Sequence, residues 1–138
     1  MVADVKFEDI HVGDSASVTK TITAEDVEAF AKVSTDVNPV HMSEEYAQGT
    51  MFKHRIAHGM ISAGLISAVL GTKLPGANTI YMGQSLQFLA PVYLDETITA
   101  TVTCIEKDDA KHRIKFETTC VNQDGKVVVK GEALIMKR

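Results

Sequence analysis

The sequence predicts an α+β fold, a curved and mostly antiparallel sheet wrapped around one central apolar helix, and three observations predict it. Residues 57–70 read AHGMISAGLISAVL, apolar on almost every side, which is the pattern of a helix surrounded by protein or lipid. In the second half Thr97, Thr99, Thr101 and Thr103 alternate with Ile98, Ala100, Val102 and Cys104, and Ile114, Phe116, Thr118 and Cys120 repeat the two-residue period of half-buried strands. Finally, the 138 residues contain no internal repeat, linker or low-complexity stretch, so residues 1–138 read as one domain. A chain of that length buries roughly two thirds of its unfolded surface and needs no disulfide or metal to be stable.

Taken in order, Ser15 to Thr23 alternates as a strand, and Thr23 caps a helix whose Val27, Phe30 and Ala31 share one face. An irregular stretch ending at Pro39 follows, and Ser43-Glu44-Glu45 has the cap residue and first-turn acids of a second, short helix. The apolar helix is about 21 Å long at 1.5 Å per residue, short of the roughly 30 Å hydrocarbon layer, so it belongs in a core and not in a membrane. Gly71 is expected to cap its C-terminus, and Pro75-Gly76 to make the turn after it. Ile80 to Leu89 reads as one strand, and Gln123-Asp124-Gly125 as a hairpin turn into Val127–Met136, giving about five strands in all.

Composition removes several function classes. With 14 Lys and Arg against 18 Asp and Glu the chain is mildly acidic and lacks the basic stripe of a nucleic-acid protein. Neither G-x-x-x-x-G-K-[ST] nor G-x-G-x-x-G occurs, so a nucleotide group would be held only at the surface. Cys104 and Cys120 have no metal-ligand spacing and read as buried, reduced thiols. Residues 1–14 carry Asp4, Glu8 and Asp14 and no apolar segment, so no secretory signal opens the chain and a cytoplasmic location is expected.

The chemistry concentrates between Asp36 and Gly59. Asp36-Val37-Asn38-Pro39-Val40-His41 supplies a carboxylate and an imidazole on one loop, and His58-Gly59-Met60 opens the apolar helix. A carboxylate and an imidazole can move a proton, and a helix N-terminus can hold a developing oxyanion. The first-turn N–H groups lack intrahelical partners, and Gly59 admits an oxygen closely. By itself the Asp-x-Asn-Pro run reads better as a surface turn, and only its context with the Gly59 helix reverses that. Asn38 is expected to shape the loop by hydrogen bonding, with Pro39 restricting it to an extended conformation. His58 reads as a supporting or capping histidine, and Gly64 as a small residue that packs the helix onto the sheet. Lys53-His54-Arg55 could meet phosphates but reads better as a solvated loop. No metal site or cofactor is expected.

D-x-N-P-x-H at 36–41, A-H-G-M at 57–60 with its small-residue helix, Tyr81-Met82-Gly83-Gln84-Ser85-Leu86-Gln87-Phe88 and Ala90-Pro91-Val92 occur in one order. In these motifs, from about Phe7 to the C-terminus, the chain resembles the MaoC-like hot-dog family, most of all its short (R)-specific enoyl-CoA hydratase members. The resemblance implies a hot-dog fold, a homodimer with active sites near the subunit interface, and reversible syn hydration of trans-2-enoyl-CoA to (R)-3-hydroxyacyl-CoA. It makes Asp36 and His41 the catalytic pair, Gly59 the oxyanion residue, and Ser67 a candidate to orient Asp36. Coenzyme A would then be part of the substrate. Fatty-acid oxidation, reductive synthesis and supply of polyhydroxyalkanoate monomers would all use such a site.

Three rivals remain. A hot-dog thioesterase often carries a carboxylate on the central helix, and residues 60–70 contain none. A dehydratase of acyl-carrier-protein thioesters usually splits its histidine and acid between segments. A non-catalytic acyl-binding subunit has no chemical need of Asp36 and His41.

Overall fold

The computed structural model describes residues 1–138. Strand β1 (Ser15–Thr21) is followed by helices α1 (Ala24–Ser34), α2 (Pro39–Met42), α3 (Glu44–Gln48) and α4 (Gly59–Thr72). Strands β2 (Thr79–Gln84), β3 (Gln87–Phe88), β4 (Thr97–Asp108), β5 (Arg113–Val121) and β6 (Val127–Lys137) complete the chain. The sheet runs β1-β4-β5-β6-β2 with every neighbour antiparallel, and β3 pairs separately with β6. Helix α4 lies against β1, β4, β5 and β6. This is the sheet-around-helix arrangement that the periodicities predict.

The alternation in β4 divides its side chains as expected. Ile98, Ala100, Val102 and Cys104 are buried with Ile114, Phe116 and Cys120 of β5, beneath Leu65, Ile66, Val69 and Leu70 of α4. On the other face hydroxyls pair across strands, Thr19 with Thr99 at 2.9 Å and Thr21 with Thr97 at 2.8 Å. Bulges at Cys104/Glu106, Cys120/Val121 and Tyr81/Gly83 bend the strands. Both cysteines are free and buried, and burial pushes the Cys120 thiol up to about 12, which leaves it unreactive at neutral pH.

Thr23 caps α1 in a full capping box: its hydroxyl accepts from Asp26 N–H, and the Asp26 carboxylate accepts from Thr23 N–H at 2.9 Å. That backbone N–H, followed by Lys20, holds the Asp26 carboxyl below its usual 3.8. A depressed folded value means that the contribution is complete above about pH 4 and disappears as pH falls through the folded value. Thr23→Ala is expected to lose about 1 kcal/mol of stability in urea unfolding at pH 7.

Four features differ from expectation. The 80–89 stretch divides into β2 and β3, making six strands, because regular pairing along the same edge of β6 lapses at Ser85–Leu86, where the Ser85 carbonyl lies against Gly131 in a space that a Cβ would fill. Gly71 does not cap α4; the helix continues through Thr72, and Lys73 N–H closes it on Val69 O at 2.9 Å. The turn does follow, with Gly76 at φ +91° packed against the Ala3 backbone. Nor is α4 covered all round: Met60, Gly64, Ser67 and Gly71 form an exposed stripe, because the sheet of one chain covers only one side of the helix. Gly64 therefore does not pack on the sheet, and a Cβ there would meet nothing within 4 Å.

Candidate active site

Asp36 emerges directly from the end of α1. Thr35, the C-cap, sits at φ 68°, a left-handed conformation that a β-branched residue adopts only under constraint. Ser34 Oγ accepts from Asp36 N–H at 3.1 Å, and Asp36 Oδ1 accepts from Asn38 N–H at 3.2 Å. Asn38 Oδ1 in turn accepts from Val40 N–H at 3.1 Å, so Asn38 caps α2 with Pro39 in its first turn. Asn38 thus shapes the segment as expected, but His41 stands on a short helix and not on an open loop. The sequence signal for that helix is an Asn cap followed by Pro, a pair that also suits a turn.

The two histidines are oriented by backbone carbonyls. Since a carbonyl can only accept, His41 Nδ1–H donates to Ile56 O at 2.7 Å, which leaves Nε2 bare. His58 Nε2–H donates to Asp36 O at 2.8 Å, and its ring stacks on His41 with centroids 4.0 Å apart. Phe30 of α1 packs against the other side of His58 at 4.8 Å. His58 is only 3% exposed and makes no side-chain cap for α4. Its role is to fix the Asp36 main chain and to support the His41 ring. One donor atom from each of Asp36, His41 and His58 lies within 4.8 Å of the others. These ligand types could suit a divalent metal. A separation within that limit also suits one shared water, since two hydrogen bonds of ~2.8 Å meeting near the tetrahedral angle span roughly 4.6 Å.

Gly59 begins α4 and lines a cavity of about 330 Å³ together with His41, Phe52, Ile56, Phe88 and Val92. A Cβ on Gly59 would lie 2.6 Å from the Phe88 ring, so a larger residue must displace that ring, a constraint absent from the sequence pattern. Gly59→Ala is expected to fold, because the half-exposed Phe88 ring can swing away, and to lower turnover about tenfold or more by misplacing the helix terminus. Steady-state kinetics beside a thermal melt would check it.

Ser67 is on the exposed stripe of α4 and makes no hydrogen bond to Asp36 within the chain. It lines a second cavity, of about 550 Å³, with Phe30, Met60, Tyr81, Gln84 and Leu86. Gln84 Nε2 donates to the buried Thr118 hydroxyl at 2.9 Å, and the Tyr81 hydroxyl donates to Gln84 Oε1. Of the basic cluster, Lys53 and His54 are exposed, and His54 pairs with Glu44 at 2.8 Å. Arg55 departs from the solvated-loop expectation: it turns inward, and its Nε donates to His41 O at 2.6 Å. No helix is long and apolar enough to cross a membrane.

Residues 10–126 match the family model for the MaoC like domain. The chain is 56% identical over 130 residues to the (R)-specific enoyl-CoA hydratase of Rhodospirillum rubrum, covering 94% of this chain and 90% of that protein. It is 44% identical to the 3-hydroxybutyryl-CoA dehydratase of Methylorubrum extorquens, covering 94% of this chain and 82% of that one. The solved R-hydratase PhaJ1 of Pseudomonas aeruginosa superposes with a TM-score of 0.94 at 46% identity, over 99% of this chain and 87% of the other. The chain belongs to the MaoC-like family, and its sheet around α4 is the hot-dog fold.

Proposed function

We propose that the protein is an (R)-specific enoyl-CoA hydratase, a hydro-lyase that adds water reversibly to trans-2-enoyl-CoA. The observation that carries this reading is the placement of the Asp36 carboxylate and the His41 imidazole within 4.8 Å of each other, with His41 lining the same cavity as the Gly59 helix terminus. The relatives named hydratase and dehydratase support it.

The tautomer of His41 shapes the mechanism. With Nδ1–H committed to Ile56 O, both Nε2 and the Asp36 carboxylate are acceptors, so one water can give a hydrogen to each and point its lone pair outward. That oxygen attacks C3 of the conjugated thioester while one of the two acceptors takes a proton. Electron density moves to the thioester oxygen, where the first-turn N–H groups of α4 stabilise it. The proton then passes to C2 as the carbonyl re-forms. Since both hydrogen and hydroxyl come from one side, the addition is syn. No cofactor takes part, coenzyme A being carried by the substrate.

The active unit we propose is a homodimer of the single 1–138 domain. Strand β2 is an edge of the sheet, and Ile80, Tyr81 and Met82 are exposed in succession there. Alongside lies the stripe of Met60, Gly64 and Ser67, a surface that a second copy would cover. Ser67 would then act across or beside that interface. Two free thiols and an acyl-CoA substrate support a cytoplasmic setting.

The test is to mix purified protein with crotonyl-CoA, follow loss of the conjugated thioester absorbance, and analyse the product on a chiral column. The expected product is (R)-3-hydroxybutyryl-CoA. No hydration, or the (S)-product, contradicts the reading.

A further inference from the structure

We infer that Arg55 is a positioning residue for His41, holding the main chain of the catalytic histidine through its guanidinium while the neighbouring Ile56 holds the ring. The inference rests on the hydratase reading above. Helix α2 spans only Pro39–Met42, too short to be stable by itself, so its geometry must be imposed from outside. The imposing segment is 55–56. Arg55 Nε donates to His41 O at 2.6 Å, Ile56 N–H donates to Val40 O at 3.3 Å, and Ile56 O receives His41 Nδ1–H at 2.7 Å. His41 is therefore gripped at its carbonyl, at the preceding carbonyl and at its ring, all from two consecutive residues.

Arg55 fits this task chemically. The carbonyl it binds lies at the C-terminal end of α2, where helix carbonyls lack partners and a positive charge is favoured. The guanidinium is half-buried, and its Nη2 is buried without an acceptor, so the side chain accepts an unsatisfied donor in order to keep its Nε on His41. A solvated arginine would have no reason to do so. The 54–55 segment is itself anchored: Glu44 accepts from Arg55 N–H at 3.0 Å through one carboxylate oxygen and pairs with the His54 ring at 2.8 Å through the other. These two contacts, the Arg55 N–H first, hold the Glu44 carboxyl below its usual range. The anchor therefore runs from Glu44 through the 54–55 backbone to Arg55 and His41. Arg55 meets no reacting atom and acts only through the histidine.

The experiment compares wild type, Arg55→Met, Arg55→Lys, His41→Gln and the Arg55→Met/His41→Gln double variant in crotonyl-CoA hydration. Arg55→Met is expected to lower kcat about tenfold with KM within about twofold, since orientation and not substrate binding is lost. Arg55→Lys, which can still donate to His41 O, should recover most of the loss. In the double variant Arg55→Met should add nothing to the His41→Gln defect, because a residue acting only through His41 has nothing left to position. An undiminished kcat in Arg55→Met, or a full tenfold multiplication in the double variant, overturns the inference. Should Arg55→Met fail to fold, Arg55→Leu, which likewise cannot donate, and its double with His41→Gln carry the same comparison, and an undiminished kcat in Arg55→Leu or a defect that multiplies the His41 one overturns it equally. A wild-type protein that hydrates nothing overturns the hydratase reading instead, so the two failures are distinct.

Discussion

Asp36→Asn is expected to lower the hydration turnover about 100-fold or more and to leave the fold intact by circular dichroism. The substitution is close to isosteric, and the amide oxygen can still accept from Asn38 N–H and from a water. What disappears is the ability to take a proton, so the loss appears in kcat with little change in KM. Asp36 is exposed in the isolated chain and its main chain is held independently by Ser34 and His58, so stability changes little. Turnover near the wild-type rate would remove the carboxylate from the chemistry and return the 36–41 segment to ordinary turn structure.

His41→Gln is expected to have an effect of the same order, again about 100-fold or more, for a different physical reason. A glutamine can offer an N–H to Ile56 O or an oxygen to water, but it has no basic nitrogen and no ring to lie on His58. Because both side chains hold one water, the double variant should be little slower than either single one. Multiplying defects in a single-turnover assay would show that the two residues act on separate steps.

The elements legible in the sequence were those set by local periodicity and local caps. The Thr23 cap, the alternation of β4 and β5, the turn at Gly125 and the apolar α4 each depend on neighbours within a few residues. Where long-range packing decides, the sequence was silent. The division of β2 from β3 depends on the close approach of Ser85 to Gly131, and the exposed stripe of α4 on how far one sheet reaches around a helix.

The site divides in the same manner. Asp36, His41 and Gly59 stand out by residue type and motif, and Asn38 accepts a hydrogen bond from Val40 N–H within the segment it is expected to shape. The constraint on residue 59 comes from Phe88, 29 residues later in the chain, and no spacing rule connects them. A Lys-His-Arg run normally faces water, so nothing in the sequence singles out Arg55; only the fold brings its Nε to His41 O. Ser67, placed beside Asp36 by resemblance, lines a cavity other than that of His41 and Gly59 and makes no hydrogen bond to the carboxylate.

The central claim is that Asp36 and His41 handle one water from one side of the substrate. It is tested most directly by hydrating crotonyl-CoA in D₂O and reading the relative configuration at C2 and C3 of the product by proton NMR. A single diastereomer, with deuterium at C2 syn to the new hydroxyl at C3, is predicted. Anti addition, or deuterium scrambled between the two C2 positions at early conversion, would contradict it.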